Sequence, residues 1–509
     1  MHGTDTTARR AELAEGLLAR LRALEQARAP WEPVWRELAS YILPRKDAFG
    51  RTGARGTAQA GPGDERIFDS TACHALETLA SALGGLLTNP ATPWFDIRVK
   101  HPETAQRDDV RGFLAQARER MLELFNSEDT GFQNHVHELY LDVALLGTGV
   151  LYVEADPESV VRFQARPMGE VSIGENAQGA VDTVFRRYEL TAAQMLGEWG
   201  ASCSREVREA AETSPEDRVE VVHAVYPRLD RDPFGPGAAN FPWASVYLEA
   251  RTRHVLEESG YLEMPYMAPR WAKASGETYG RGPGLTALSD VRVLNAMSRT
   301  ALMAAEKMSD PPLMVPDDGF LGPVRSGPGG LSYYRAGTTD RIEALPVAVD
   351  LGAAEEMMRQ RRESVRRIFL GDQLQEDGPA MTATEAVIRQ GERMRVLGPV
   401  LGRMQSEFLA PLVGRVFRIM LRAGALPPLP EGVAPRDLKV EYASALSRAQ
   451  RQTEAQALAQ VLDYLGPLAQ ATPEVLDNFD ADRIARHACE LFGAPQDYLL
   501  PGDDVARER

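Results

Sequence analysis

The chain has 509 residues, of which 44% are hydrophobic and 26% charged, and its formal net charge is −16. This composition is ordinary for a globular protein, and the length suggests about two to four domains. A plain DNA-binding module is basic, because its affinity comes from neutralising phosphates, so the acidic balance argues against tight binding to nucleic acid.

The cysteines and the hydropathy pattern narrow the class further. Cys73, Cys203 and Cys489 lie far apart and share no metal-ligand spacing, which argues against a disulfide framework and favours a reducing compartment. No apolar run approaches the roughly 20 residues that span a bilayer. The charged, helix-forming N-terminus is unlike a signal peptide.

The N-terminal third predicts helices. Residues 5–43 form two helical runs divided at Pro30 and Pro33. A glycine-rich stretch at 47–65 follows and predicts a loop. A leucine-striped helix then begins near Asp69 or Ser70 and stops at Asn89-Pro90, before a buried extended segment at Trp94, Phe95 and Ile97.

Two further helices are predicted over 105–146, divided near Gly131. After them the pattern changes from that of helices to that of strands. From "GVLYVEAD" to "WASVYLEARTRHVLEESGY" the residues are strand-like, with one short helix capped by Thr191. We expect this middle region to be a mixed, mostly antiparallel sheet module.

The helical period returns at Pro283 and continues until Pro311 and Pro312. Residues 311–349 are rich in proline and glycine and contain strand-like "LSYYR" and "RIEALPV". A second helix is predicted from about Leu351 to Leu370, with an apolar side that includes Met357 and Met358. Its glutamates lie near its start and its arginines near its end, an order that complements the helix dipole.

Gly371 is well placed to end this second helix, and an acidic stretch, "GDQLQEDGPA", follows. Thr382 and Glu385 form a capping box that opens a long helix to about Ala423, with a kink or break expected at Gly398-Pro399. A strand at "LKVEYAS" and helical residues at 448–492 complete the chain.

No catalytic constellation emerges from the motifs. The phosphate-binding GxxxxGK[ST] pattern is absent, and His135 and His137, two residues apart on a helix, point to different faces. The glycine-rich "YGRGPG" at 279–284 lacks the βαβ context of a dinucleotide site and predicts a turn and a helix start. We therefore expect no enzymatic activity and no cofactor.

Three segments, in this order, resemble the portal, or head-to-tail connector, proteins of short-tailed bacteriophages. They are "FDSTACHALETLASALGGLLTNPATPWFDI", "PRWAKASGETYGRGPGLTALSDVRVLN" and "MTATEAVIRQGERMRVLGPVLGRMQSEFLAPLVGRVFRIMLRAGALP". The resemblance implies a mainly helical α+β fold, assembled as a ring of twelve copies. It further implies a channel for double-stranded DNA during packaging and ejection.

The resemblance also implies a division of the chain into the family's parts. These are a wing (1–282), a first stem helix (283–310), a β-containing clip (311–349), a second stem helix (350–370), a tunnel loop (371–381), a long wing helix and strand (382–446), and a helical crown with the C-terminal tail (447–509).

In that arrangement the acidic stretch faces the channel. Its polar residues are Asp372, Gln373, Gln375, Glu376 and Asp377. Carboxylates repeated around a ring would repel the duplex, which favours sliding over binding. Considered without the resemblance, the same stretch is an ordinary solvated loop between helices.

Six further residues are candidate contacts, and alternatives remain open for the two cations of the first stem helix and for the tyrosines. Arg299 and Lys307, on the polar side of the first stem helix, would either touch DNA phosphates transiently or pair with Glu355 or Glu356 of a neighbouring subunit. In the clip, the candidate interface residues are Arg325, Tyr333, Tyr334 and Arg335, because tyrosine and arginine are enriched in interface hot spots. The alternative for these tyrosines is packing on their own sheet.

The implied partners are further copies of the chain, double-stranded DNA, the packaging motor (terminase), a tail adaptor, and the major capsid and scaffolding proteins, without a membrane. The implied location is the portal vertex of the virion, after assembly in the host cytoplasm. Two other interpretations remain open: a different ring-forming tail adaptor, and a hydrolase with an unrecognised site in the sheet module. Closed rings require heterologous interfaces, so we expect much of the apolar stem surface to be buried only on assembly.

Overall fold

The computed structural model describes residues 2–44, 67–105, 107–232, 235–314, 343–344, 351–371 and 397–442, with residues 457, 459–461, 463 and 484–485. Its helices are α1 (His2–Arg28), α2 (Glu32–Ile42), α3 (Thr71–Leu87), α4 (Pro102–Ala105), α5 (Asp108–Asn126), α6 (Phe132–Leu146), α7 (Ala192–Trp199), α8 (Arg205–Thr213), α9 (Pro283–Ser309), α10 (Leu351–Ile368) and α11 (Ala410–Arg422).

Its strands are β1 (Phe95–Val99), β2 (Val150–Asp156), β3 (Val160–Arg166), β4 (Val171–Glu175), β5 (Val181–Thr191), β6 (Arg218–Pro227), β7 (Trp243–Glu249), β8 (Val255–Tyr261), β9 (Tyr266–Met267), β10 (Leu313–Met314), β11 (Glu343–Ala344) and β12 (Leu438–Tyr442). Helix accounts for 55% of the structure, so the predicted α+β class with a helical majority is confirmed.

The predicted sheet module consists of two antiparallel sheets. Five strands are ordered β4-β5-β6-β7-β8, and three are ordered β3-β2-β9. Successive side chains of a strand point to opposite faces, so neighbouring valines of β6 enter different cores. Val222 packs with Leu17 and Leu21 of α1, whereas Val221 packs with Met195 of α7. The five-stranded sheet is therefore covered on both faces.

A cluster of aromatic side chains lies in the main hydrophobic core. Trp94 and Phe95 lie with their ring centroids 4.6 Å apart, and Phe125, Phe132 and Phe163 pack around them. Each such pair contributes about 0.5–1.5 kcal/mol beyond its buried area. The same core takes in Val291 of α9, Val365 of α10 and Leu412 of α11.

The glycines of the "YGRGPG" turn are explained by a backbone crossing. Trp271 N donates to Gly147 O at 2.9 Å, and Gly280 N donates to the Thr148 hydroxyl at 2.8 Å. A Cβ on Gly280 would lie 2.2 Å from Gly147 O. The turn therefore crosses the end of α6 in backbone-to-backbone contact and delivers the chain to α9. The predicted turn and helix start are confirmed, with Pro283 in the first turn.

A buried polar layer joins the two sheets. His223 on β6 bonds the Tyr266 hydroxyl through Nδ1 at 2.8 Å and the Ser245 hydroxyl through Nε2 at 3.0 Å. Its ring stacks on Tyr247 with the centroids 3.9 Å apart. Burial is the main cause that holds the pKa of His223 well below its ordinary value of 6.5, and the positive charges of Arg186 and Arg166 lower it further.

This layer makes the stability of the protein sensitive to acid. The unfolded chain takes up a proton at His223 below about pH 6.5, and the folded chain does not, so folding loses stability as the pH falls from 6.5 toward the depressed value. We expect a slope of up to about 1.4 kcal/mol per pH unit from this side chain. Denaturant unfolding between pH 7.5 and 5 should give a smaller slope for His223→Gln. The exposed His254→Gln serves as the control, and an unchanged slope in His223→Gln would contradict the assignment.

Three features differ from, or were missed by, the expectations from sequence. The left-handed residue that ends α10 is Leu370, with φ +61°, not Gly371. A π-helical turn at Gln405–Leu409 in the long helix was not predicted. Residues 397–404 are helical, and the kink or break expected at Gly398-Pro399 stays a prediction, because the residues before 397 lie outside the described residues. Helix α8 was not predicted. The predicted capping box of Thr382 and Glu385 and most of 448–492 lie outside the described residues.

Candidate functional site: the paired helices α9 and α10

Helices α9 and α10 run antiparallel and are fastened where they leave the core. Arg361 of α10 bonds Asp290 of α9 at 2.8 Å, and Ser364 bonds the second carboxylate oxygen of Asp290 at 2.7 Å. Further along, the Ser298 hydroxyl lies 3.5 Å from the Met358 sulfur. The pair is thus held in a defined register by polar contacts beside the apolar seam.

The residues before α3 are inserted against both helices. Phe68 N donates to Asn295 Oδ1 at 2.7 Å, and the Arg299 guanidinium lies 5.7 Å from the centre of the Phe68 ring. Arg362 donates to Asp69 at 2.8 Å. Burial opposes the charge of Asp69, but hydrogen bonds from Thr71 and Arg362 lower its pKa below the ordinary value. The chain is therefore anchored to the helix pair through a buried carboxylate.

Away from the core, the helix pair exposes large apolar side chains. Of the twelve exposed large hydrophobic residues in the described chain, seven belong to this pair or to β10, and each has between 41% and 57% of its surface exposed: Val293, Leu302, Met303, Met308, Leu313, Met314 and Met357. We call this set the stem stripe. Isolated apolar residues on a surface are normal, but several large ones grouped on one pair of helices indicate an interaction surface.

The stem stripe includes part of the predicted apolar side of α10. The period of α10 assigned Met357 to the apolar side of the helix with Met358, Val365 and Phe369. The last three are buried, whereas Met357 has 57% of its surface exposed. The helical period predicts which residues share one side of α10. It does not predict which of them α9 covers, and α9 covers only part of that side.

The two candidate cations of α9 are both exposed. Arg299 contacts Phe68 of its own chain, a contact that the sequence did not predict. Glu356, a candidate partner, bonds Arg359 within α10 at 2.7 Å, and this hydrogen bond lowers its pKa. Pairing of these two cations with Glu355 or Glu356 of a neighbouring subunit stays a prediction.

The remaining candidate residues lie outside the described residues. They are Asp372, Gln373, Gln375, Glu376 and Asp377 of the acidic stretch, and Arg325, Tyr333, Tyr334 and Arg335 of the predicted clip. In that clip the structure describes one short antiparallel pair, Leu313 with Ala344 and Met314 with Glu343.

The remaining histidines and carboxylates do not form a metal site in the described ranges. Within them, no group of three or more histidine, cysteine, aspartate or glutamate side chains is arranged to hold a metal ion. His137 lies 3.5 Å from Glu77, and burial lowers the pKa of His135. No described helix combines the length and the apolar character needed to cross a bilayer.

The exposed apolar side chains of α9 and α10 are the main feature of the described surface, and comparison with known proteins identifies the family of the chain. The family model for the bacteriophage head to tail connecting protein matches residues 14–500. A probable portal protein of Bordetella phage BPP-1 is 35% identical over 96% of this chain and 89% of its own. The portal protein of Salmonella phage epsilon15 is 31% identical over the same shares.

The chain belongs to the bacteriophage head to tail connecting protein family. The predicted family membership is confirmed, and with it the predicted role as a phage portal protein. The relatives are named for a structural component and not for an enzyme.

Proposed function

We propose that copies of this chain close into a ring at one vertex of a phage capsid, and that double-stranded DNA is packaged and ejected through its centre. The ring also joins the head to the tail. The stem stripe is the observation that carries this proposal, because a monomer gains nothing from seven exposed large apolar side chains on one projection. Membership of the connector family supports the same conclusion.

The proposal assigns the predicted parts to the elements. The wing is 1–282 with 382–446, the stem is 283–310 with 350–370, the clip is 311–349, the tunnel loop is 371–381, and the crown with the tail is 447–509. Helices α9 (Pro283–Ser309) and α10 (Leu351–Ile368) agree with the two stem segments. The wing contains α1 to α8, α11 and every sheet except β10-β11, which belongs to the clip.

Assembly and partners follow from this role. We propose a ring of twelve copies, located at the portal vertex of the virion after assembly in the host cytoplasm. It meets the terminase motor and then a tail adaptor, and it contacts the major capsid and scaffolding proteins. The clip residues Arg325, Tyr333, Tyr334 and Arg335 are proposed for the motor or adaptor interface. The ring itself carries out no chemical step and holds no cofactor.

The proposed channel repels DNA more than it binds it. Acidic side chains of the tunnel loop would keep the duplex from adhering, and the exposed Arg299 and Lys307 would give brief phosphate contacts. A net charge of −16 on every copy supports sliding in place of tight binding.

Reversing the charge of the loop tests the channel. Replacing Asp372, Glu376 and Asp377 together with lysine should leave ring formation intact, because these residues are not part of the stem stripe. DNA packaging should slow or stall, because each lysine added around the ring favours phosphate contact and counterion release. Packaged DNA per particle and its release are the measurements, with the isosteric asparagine and glutamine triple variant as the control. Normal packaging in the lysine variant would remove the role assigned to the charge.

The mass of the purified protein tests the assembly. A ring of about twelve subunits, visible as a perforated annulus in electron micrographs, is the expected result. A stable monomer or dimer at every concentration and ionic strength would overturn the proposal. A closed ring that binds only completed heads would favour a tail adaptor.

A further inference from the structure

The π-helical turn Gln405–Leu409 is a break in the regular helix that runs from residue 397 to Arg422. A π-turn inserts one residue, so the helical residues before it are rotated by about 100° relative to a continuous α-helix. Phe408 and Leu409 of the turn are buried in the main core. Glu407 of the turn accepts a hydrogen bond from Arg403 of the same helix at 2.9 Å, and it is also held by one arginine from outside the helix.

That arginine, Arg270, is 1% exposed and makes contacts in three directions. It holds Glu407 by its backbone N at 3.0 Å, by Nε at 3.0 Å and by Nη2 at 2.8 Å. It also contacts Glu175 and donates to Thr278 O at 3.1 Å and Gly179 O at 3.0 Å. Burial opposes its charge, but Glu407 and Glu175 outweigh burial and raise its pKa.

The contacts of Arg270 connect the π-turn to the start of the stem. Ten residues separate Arg270 from Gly280, which crosses Gly147, and α9 begins three residues later. Arg281 N donates to Ala272 O at 2.7 Å, which closes this connection into a compact loop. One side chain therefore connects the π-turn, the β4–β5 hairpin and the residues just before Pro283, which we call the root of α9.

We propose that Arg270 is a positioning residue. By holding Glu407 it fixes the π-turn, and so sets the direction of helical residues 397–404 relative to the root of α9. DNA passage depends on that geometry. The inference rests on the proposed function, since it adds a residue on which the channel depends.

The same helix supplies a matched control. Arg415 is also buried, and it donates to Val153 O at 2.9 Å and to Glu263 O at 2.7 Å, with a Glu263 carboxylate oxygen 3.6 Å away. It holds α11 on β2 but lies beyond the π-turn. A purely structural role for both arginines predicts the same behaviour when either is changed.

The experiment compares Arg270→Lys and Glu407→Gln with Arg415→Lys in the full chain. Lysine keeps the charge but loses the fork that reaches several partners at once. We expect all three to form rings and to lose thermal stability. Only the first two should speed amide hydrogen exchange in residues 397–404 by about tenfold or more, and lower packaged DNA by at least about threefold.

Equal exchange and equal packaging in the Arg270 and Arg415 variants would overturn the proposal. If Arg270→Lys fails to assemble, Glu407→Gln, which keeps the shape of the side chain, decides the question. Failure of both to assemble would assign the pair a purely structural role and also overturn it. Absence of a ring in the wild-type protein would instead refute the proposed function, so the two failures are distinguishable.

Discussion

Replacing Gly280 with alanine is expected to prevent the chain from folding stably. The new Cβ would lie 2.2 Å from Gly147 O and 2.9 Å from the Arg270 Cβ, and the first of these is a backbone atom fixed by the end of α6. Relieving the overlap requires separating the turn from α6. That movement would break the bond from Trp271 N to Gly147 O. We expect a loss of at least about 4 kcal/mol in the free energy of unfolding.

The control is a glycine in open space. Gly85 is exposed in α3, and a Cβ there meets no atom within 4 Å. Gly85→Ala should stabilise the protein by about 0.5–1 kcal/mol, because alanine loses less conformational freedom in a helix. Denaturant midpoints of the two variants would therefore move in opposite directions. A Gly280→Ala protein as stable as the wild type would refute the crossing.

Placing glutamates in the stem stripe is expected to abolish the ring and leave a folded monomer. Leu302 and Met303 are exposed in the single chain, so Leu302→Glu combined with Met303→Glu should leave its unfolding nearly unchanged. In a closed ring the two carboxylates would be buried without a partner at every interface, at a cost of several kcal/mol each. Sedimentation should show a monomer at concentrations at which the wild type is a ring.

A second exposed leucine provides the comparison. Leu229 follows β6 and is 94% exposed, outside the stem stripe. Leu229→Glu should assemble normally, because it replaces an exposed leucine with glutamate on a surface that the proposal leaves free. Rings formed by the double stem variant at wild-type concentrations would exclude the stripe as the contact.

The helices were predictable because their signal is local. The apolar residues from Leu285 to Met308 recur at the helical period, and proline marks both ends, so α9 follows from neighbouring residues alone. The same pattern does not say what covers each part of the helix. Val291 and Leu294 are buried within the chain, whereas Met308 is exposed.

The polar anchors were not predictable for the opposite reason. Arg270 and Glu407 are 137 residues apart, and nothing in either neighbourhood marks the pair. No hydrophobic period in the sequence marks the π-turn, because packing decides where the helix accommodates an extra residue. Asp69 was a partial exception: its position before a helix suggested a cap, but not its bond to Arg362.

Strand β12 gives the molecule a late step in its synthesis. It pairs along its whole length with β1, from Phe95 opposite Tyr442 to Val99 opposite Leu438, so the two partners lie more than 330 residues apart. A contact that closes so long a loop forms slowly, and it cannot form before the ribosome has released the second strand. A nascent chain therefore lacks the partner of β1 until residues 438–442 have left the ribosome, and a product terminated before them carries a bare strand edge that quality control can recognise.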